Sequence, residues 1–420
     1  MRDATLWRDL LGVEKTVIES VEYDEDERVL LAAVRPTRRS SSRCGRCQRR
    51  SPRYDGGEGR RRWRALDLGT IAVWLEADSP RVNCRVHGPT VRAVPWARHA
   101  AGHTYVFDEQ VAWLATQCSK TAVTELMRIA WRTVGAIITR VWADVEKVHD
   151  RFAGLSRIGI DEISYKRGHR YLTVVVDHDT GRLVWAAPGR DKATLGSFFD
   201  ALGEERGAQI THVSADGADW ISGVVTDRCP AAVRCADPFH VVKWATEALD
   251  EVRRQAWNEA RGAVRQRRAG RASGHAKALK HARFALWKNP ENLTSHQQAK
   301  LAWVATVDPR LHRAYLLKEG LRLVFQLPIE EATEALEYWI RWARRCRIPA
   351  FIDLQRRIVK HRASILAAIE HGLSNGRIES VNTKIRLITR VAFGFRSPDA
   401  LIALAMLSLG GQKPVLPGRI

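Results

Sequence analysis

The spacing of hydrophobic positions along the chain changes period several times. In the first hundred residues the legible apolar segments alternate, and Val29-Leu30-Leu31-Ala32-Ala33-Val34 and Ile71-Ala72-Val73-Trp74-Leu75 predict strands of a small β module. Between about Thr104 and Asp150 the period becomes helical. Phe107, Val111 and Leu114 predict one helix, Thr121 to Met127 a second, and Val134, Ile137, Ile138 and Val141 a third. That spacing suits a helix-turn-helix and an ordinary three-helix unit equally.

Alternation returns at Arg157. Arg157 to Ile163, Tyr171 to Asp177 and Arg182 to Ala187, the last two joined through Asp179-Thr180-Gly181, predict an antiparallel trio of strands. A helix over 193–206 then leads to a strand over Ile210 to Asp216, and a fifth strand is expected over Ala231 to Cys235. Three antiparallel strands followed by two entered through helices predict a ribonuclease-H-like mixed sheet. From Val241 to Gly372 the pattern is helical, with breaks at Pro290 and Pro328, and a further helix from Asn375 to Lys384 is capped by Asn375 or Ser374. The expected organisation is α/β: a small β module over 1–103, a helix-turn-helix over 104–150, the first part of the mixed sheet over 151–240, an all-α insertion over 241–372, and a last helix and loose tail over 373–420.

Charge narrows the partners. The chain has 68 Lys and Arg against 47 Asp and Glu, a formal charge of +21, which favours a polyanion bound through counterion release. Twelve Arg lie between Arg35 and Arg64 against Asp55 and Glu58, predicting a basic loop, and eleven basic residues lie between 251 and 290, Arg253, Arg254, Arg265, Arg267, Arg268 and Arg271 among them. Trp257, Trp287, Trp303, Trp339 and Trp342 are interleaved with or follow that stretch and are expected mostly in the core. No run of about eighteen apolar residues occurs, and the N-terminus lacks a signal-peptide core, so a cytoplasmic protein with no membrane partner is expected. Seven cysteines, unevenly spaced, do not suit a disulfide framework. Cys44-Gly45-Arg46-Cys47 has the knuckle spacing of a zinc site instead, and Cys84 and His87 supply a plausible second half, a Cys3His set.

Three acids stand out by position. Asp161 and Asp216 each end an apolar strand, and Glu379 lies in the last helical run. Carboxylates at neighbouring strand ends repel, and divalent metal relieves that repulsion most directly. Three acids around two metals suit in-line phosphoryl transfer, in which one ion activates a water or a DNA 3′-hydroxyl and the other stabilises the departing oxygen. Glu162 and Asp219 lie close enough in sequence to serve in place of Asp161 or Asp216.

Taken together, Gly159-Ile160-Asp161-Glu162, Ser214-Ala215-Asp216-Gly217, Asp237-Pro238-Phe239-His240 and the tract from Ser374 through Asn382, with Arg390 to Arg396, resemble the DDE transposases of bacterial insertion sequences in the ISL-three family. The resemblance implies that Asp161, Asp216 and Glu379 hold two Mg²⁺ or Mn²⁺ ions, with Asp237 and His240 in support. It also implies one structural zinc, although His87 stands where the family more often has cysteine, which leaves the fourth ligand open. The implied partner is double-stranded DNA, both element ends and target, bound by a homodimer or larger assembly in the nucleoid. Candidate DNA contacts are Arg60, Arg61, Arg62, Arg132, Thr133, Arg140, Arg253, Arg254, Arg386 and Arg390, and residues 1–150 are expected to fold alone. A structure-selective nuclease of the same fold and a regulator with an idle sheet are the rival readings; acids at all three positions argue against the regulator.

Overall fold

The computed structural model describes residues 3–266 and 270–418. The chain divides into two compact units, Met1–Asp150 with Ile388–Ile420, and Arg151–Leu387.

The first unit opens with α1 (Asp3–Leu10), β1 (Thr16–Asp24) and β2 (Val29–Pro36), followed by β3 (Arg53–Asp55), β4 (Arg60–Leu68), β5 (Ile71–Asp78), β6 (Arg81–Cys84) and β7 (Gly88–Val91). Four of these strands form one sheet in the order β1-β2-β5-β4, and β3, β6 and β7 form a second. The alternation read in Val29 to Val34 and Ile71 to Leu75 is the packed face of the larger sheet, where Ala32, Val34, Val73 and Leu75 are buried with Trp63 and Ala65. The expected basic loop needs correction at its end. Arg60 to Leu68 is the strand β4, because Trp63 and Ala65 supply the inward positions that hold it against β5. Arg60 and Arg62 project from it exposed, while Arg61 donates to the Ala101 carbonyl at 2.7 Å and Arg64 is buried.

Three helices follow: α2 (Tyr105–Gln117), α3 (Lys120–Met127) and α4 (Trp131–Val148). Thr104 and Ser119 cap α2 and α3 by accepting from the backbone N–H groups of Phe107 and Ala122. Arg128 ends α3 in the left-handed region, at φ 54°. Phe107, Val111, Val134, Ile137 and Ile138, picked out by the helical period, are at most 1% exposed. Asp108, one position along, is also fully buried. It is held by Arg140 from α4 through two hydrogen bonds of 2.8 and 2.9 Å and by Arg98 at 3.1 Å. Burying one carboxylate is tolerable only with such pairing.

The second unit contains β8 (Arg157–Lys166), β9 (Arg170–Asp177), β10 (Leu183–Pro188), α5 (Lys192–Leu202), α6 (Glu204–Gly207), β11 (His212–Ala215), α7 (Asp219–Arg228) and β12 (Val233–Ala236). The five strands form one sheet in the order β10-β9-β8-β11-β12, antiparallel from β10 to β8 and parallel from β8 to β12. This is the expected mixed sheet. The single helix expected over 193–206 is broken at Gly203, whose φ of +83° cannot continue a helix. One face of the sheet packs Ile158, Ile160, Val213 and Ala215 on Leu195, Phe198, Ile221 and Val225 of α5 and α7.

The helical stretch then comprises α8 (Pro238–Gln266), α9 (Gly270–His281), α10 (Arg283–Leu286), α11 (Ser295–Val307), α12 (Pro309–Val324), α13 (Ile329–Arg345), α14 (Pro349–Lys360) and α15 (Arg362–Glu370), sharing one apolar core. Trp339 is buried in that core and Trp257, Trp303 and Trp342 pack on its edge, whereas Trp287 is 45% exposed. Arg253, a candidate DNA contact, is corrected: it is 7% exposed and donates to Asp250 at 2.7 Å. Arg267 and Arg268 lie outside the described residues.

Last come α16 (Gly376–Val391) and α17 (Pro398–Leu409). The segment 373–420, expected as one piece, is divided at Ile388. Beyond that point α17 packs on α4 and α2, with Leu401, Leu404, Met406 and Leu407 buried. α17 therefore supplies part of that unit's core, a part that residues 1–150, expected to fold alone, do not contain. Leu401→Ala should destabilise the N-terminal unit by about 2–5 kcal/mol, measured by denaturant unfolding followed on that unit's tryptophans. A loss below about 1 kcal/mol would contradict this role for α17.

Candidate functional site

The register of the five-stranded sheet sets the site. Ile160 pairs with Ala215, and Ala215 with Ala236, across β8, β11 and β12. The next residue on each strand is an acid, so Asp161, Asp216 and Asp237 fall in one row on one face. It is the face opposite α5 and α7, because side chains alternate and Ile160 and Ala215 point toward those helices.

α16 covers that face. Gly159, two residues before Asp161, lets it approach: a Cβ there would come within 2.2 Å of Ile378 Cδ1. One turn along α16 from Ile378, Asn382 Nδ2 donates to Asp161 Oδ2 at 2.7 Å. Glu379 is exposed on the same helix and lines a cavity of about 430 Å³ together with Asp161, Glu162, Asp237, His240 and Arg386.

Burial pushes the Asp161 carboxyl above its usual range, and the neighbouring Asp237 and Asp216 add to the effect. His240, at the start of α8, bridges two of the acids. Its Nδ1 lies 2.6 Å from Asp237 Oδ2 and its Nε2 3.8 Å from Asp216 Oδ2. The hydrogen bond to Asp237 raises the imidazole above its ordinary value, with Asp216 and Asp161 contributing. An oxygen-rich, partly buried acid set in which burial disfavours the charged form of Asp161 fits a hard divalent cation. Of the two sequence alternatives, Asp219 is bound by Lys360 at 2.8 Å, whereas Glu162 lines the same cavity and lies 3.4 Å from Arg190.

In the first unit, Cys44, Cys47, Cys84 and His87 converge with ligand atoms all within 4.8 Å of one another. Cys47 and Cys84 Sγ are 3.6 Å apart, and His87 Nδ1 lies 3.6 Å from Cys44 and 3.7 Å from Cys84. Gly45 is required there, because a Cβ would meet His99 Nδ1 at 2.4 Å and the Val91 carbonyl at 2.6 Å. Backbone N–H groups of Val86 and His87 hold the Cys84 thiol down to about 5, in the thiolate form a metal needs. Tight S and N clustering of this kind suits tetrahedral zinc. The carboxylates of Asp161, Asp216 and Glu379 are less drawn together, since no acid set among the described residues meets the same 4.8 Å limit.

Among the candidate DNA contacts, Arg132 is exposed at the start of α4 with Thr133 half-buried beside it, and Arg254, Arg386 and Arg390 are exposed. Arg140 is corrected, because its guanidinium is committed to Asp108. Asn382 lies in the sequence tract around Glu379 with nothing local to mark it; only the fold shows that its spacing reaches Asp161.

A row of acids at adjacent strand ends, faced by a helix with a further acid and preceded by a helix-turn-helix, defines the class of DDE transposases, enzymes that cleave and transfer DNA. A family model described as Transposase, of the ISL3 type, matches residues 158–405, and models described as the helix-turn-helix domain of transposase family ISL3 and the zinc-finger of transposase IS204/IS1001/IS1096/IS1165 match residues 92–142 and 40–87. The chain belongs to the ISL3 family of transposases. It is 66% identical over 436 residues, covering 100% of this chain and 98% of the relative, to the transposase for insertion sequence element IS1557 of Mycobacterium tuberculosis. It is 28% identical over 404 residues, covering 95% and 96%, to the transposase for insertion sequence element IS1001 of Bordetella parapertussis.

The paired geometry around Asp108 has a direct test. Asp108→Ala leaves Arg98 and Arg140 without their shared buried partner and should cost about 3–5 kcal/mol, read as lost stability of the N-terminal unit with no change in the ion pairs elsewhere. A cost near zero would show that Asp108 does not tie α2 to α4.

Proposed function

We propose that Asp161, Asp216 and Glu379 are the metal-binding acids of this transposase, and that it uses them to cut and rejoin DNA at the inverted-repeat ends of its own insertion sequence. The observation that carries this is the register that puts Asp161 and Asp216 side by side, with Glu379 on the helix whose Asn382 is hydrogen-bonded to Asp161. When bound, two Mg²⁺ or Mn²⁺ ions supply activation of the attacking oxygen and stabilisation of the departing 3′-oxygen. The chain's own part is to hold the carboxylates and to seat the phosphodiester. His240, held by Asp237, sets the orientation of Asp216, and Arg386 offers a cation at the cavity's edge for a flanking phosphate.

Recognition is assigned to the first unit. Cys44, Cys47, Cys84 and His87 hold one structural zinc, which fixes the module that presents the Arg-rich surface. Arg132 and Thr133, at the start of α4, read base edges in the major groove, while Arg60 and Arg62 on β4 contact phosphates. Arg254 and Arg390 add further phosphate contacts. Pairing two element ends calls for a dimer or larger assembly, acting on DNA in the bacterial cytoplasm; no helix among the described residues is long and apolar enough to cross a membrane. A structure-selective nuclease would need neither the zinc module nor the helix-turn-helix.

Replacing Asp161, Asp216 or Glu379 singly with Ala should abolish metal-dependent cleavage and joining while binding to end DNA survives. Wild-type cleavage by Glu379→Ala in Mg²⁺ would overturn the assignment. Elemental analysis should find about one zinc per chain, lost in Cys44→Ser or Cys47→Ser; zinc-free wild-type protein would contradict the ligand set. Arg132→Ala should reduce discrimination between end and random duplex by about 1–3 kcal/mol. Changing Arg60 and Arg62 to Ala together should weaken both duplexes alike and flatten the salt dependence, and the reverse pattern in titrations at several salt concentrations would reassign the contacts.

A further inference from the structure

Asn375, Glu379 and Asn382 lie four and three positions apart, so they share one face of the α16 end of the chain and all line the cavity. The two amides do different work on the sheet. Asn375 Oδ1 accepts from Ser214 Oγ at 2.6 Å, two residues before Asp216 on β11. Asn382 Nδ2 donates to Asp161 Oδ2 at 2.7 Å on β8. The helix segment carrying Glu379 is thereby hooked to both strands that carry the other acids.

Asp161 has its second oxygen engaged as well, since Oδ1 accepts from the Glu162 backbone N–H at 2.8 Å. With one oxygen held by backbone and the other by Asn382, the rotation of the carboxylate is set, against the push of Asp216 and Asp237 in the same row. Asn382 is 2% exposed, and its own Oδ1 is buried with no hydrogen-bond partner among the described residues. Asn375, 5% exposed, likewise leaves Nδ2 unpartnered. A residue present only to satisfy local polar groups would not leave such an atom unpaired at an energetic cost.

We propose that Asn382 is a positioning residue that presents Asp161 to a divalent cation, with Asn375 anchoring the same helix face to β11; this rests on the reading of Asp161 as a metal ligand. Outer-shell partners that orient a ligating carboxylate typically govern metal affinity by roughly 10- to 100-fold. Asn382 is thus expected to act on metal binding first and on turnover only through it.

The test is Mn²⁺ binding to the full chain, followed by electron paramagnetic resonance, for wild type, Asp161→Asn, Asn382→Ala and Asn382→Ser, with thermal unfolding as a check on folding. Asn382→Ser keeps a small polar group that cannot reach Asp161, and it guards against a packing defect in the Ala variant. Both Asn382 variants should bind Mn²⁺ at least about tenfold more weakly with unfolding close to wild type. Their end-DNA cleavage should be lost at limiting Mn²⁺ and largely recovered at high Mn²⁺, a shift in metal dependence that a purely structural role would not produce. Wild-type Mn²⁺ affinity in Asn382→Ser alongside lost binding in Asp161→Asn would overturn the proposal while leaving the ligand reading intact. Undiminished Mn²⁺ binding by Asp161→Asn would remove the ligand reading, and the proposal with it.

Discussion

Electrostatic repulsion within one row of carboxylates governs the second unit. Strand pairing alone would place Asp161, Asp216 and Asp237 side by side on the face beneath α16. Each therefore needs a compensating group, and the fold provides one from a different element: Asn382 on α16 for Asp161, His240 on α8 for Asp216 and Asp237. Asp161 remains costly even so, since burial and the neighbouring acids still disfavour its charged form. A row built this way has a demand for positive charge, which a bound divalent cation would meet.

The first unit solves an opposite problem, an excess of positive charge around a thin core. Its three-helix core has Asp108 at the centre, paired by Arg98 and Arg140, and Arg98 also holds Asp144 on α4 at 2.6 Å. In the small β module Cys44, Cys47, Cys84 and His87 converge within ligand distance of one another. α17 completes the packing from the far end of the chain. The arginines of this unit thus divide in two: Arg98 and Arg140, which tie helices together, are largely withdrawn from solvent, and Arg60 and Arg62 on β4 and Arg132 at the start of α4 are exposed.

Much of this was legible in the sequence because period and burial coincide. Alternation at Ile158 and Ile160, helical spacing from Phe107 to Val141 and the Cys-x-x-Cys knuckle each mark elements whose one face is buried. Strand β1, by contrast, carries few apolar residues and a bulge between Ile18 and Ser20, so its alternation is weak. The roles of Arg140 and Arg253 were illegible for a different reason. A charge written in sequence does not say whether its partner, Asp108 or Asp250, is folded against it. The placement of Ile388 to the C-terminus also escaped, since a helix as largely apolar as α17 does not announce which core it joins. Asn382 stood in plain view three residues after Glu379, yet its use depends on Gly159 letting the helix come close.

The most direct test of the whole account is anomalous diffraction from crystals of the full chain grown with Mn²⁺. Anomalous density is expected between Asp161, Asp216 and Glu379, with carboxylate oxygens of all three at roughly 2.1 Å from manganese. Manganese bound by Asp237 or Glu162 while Glu379 stays away from the metal would contradict it.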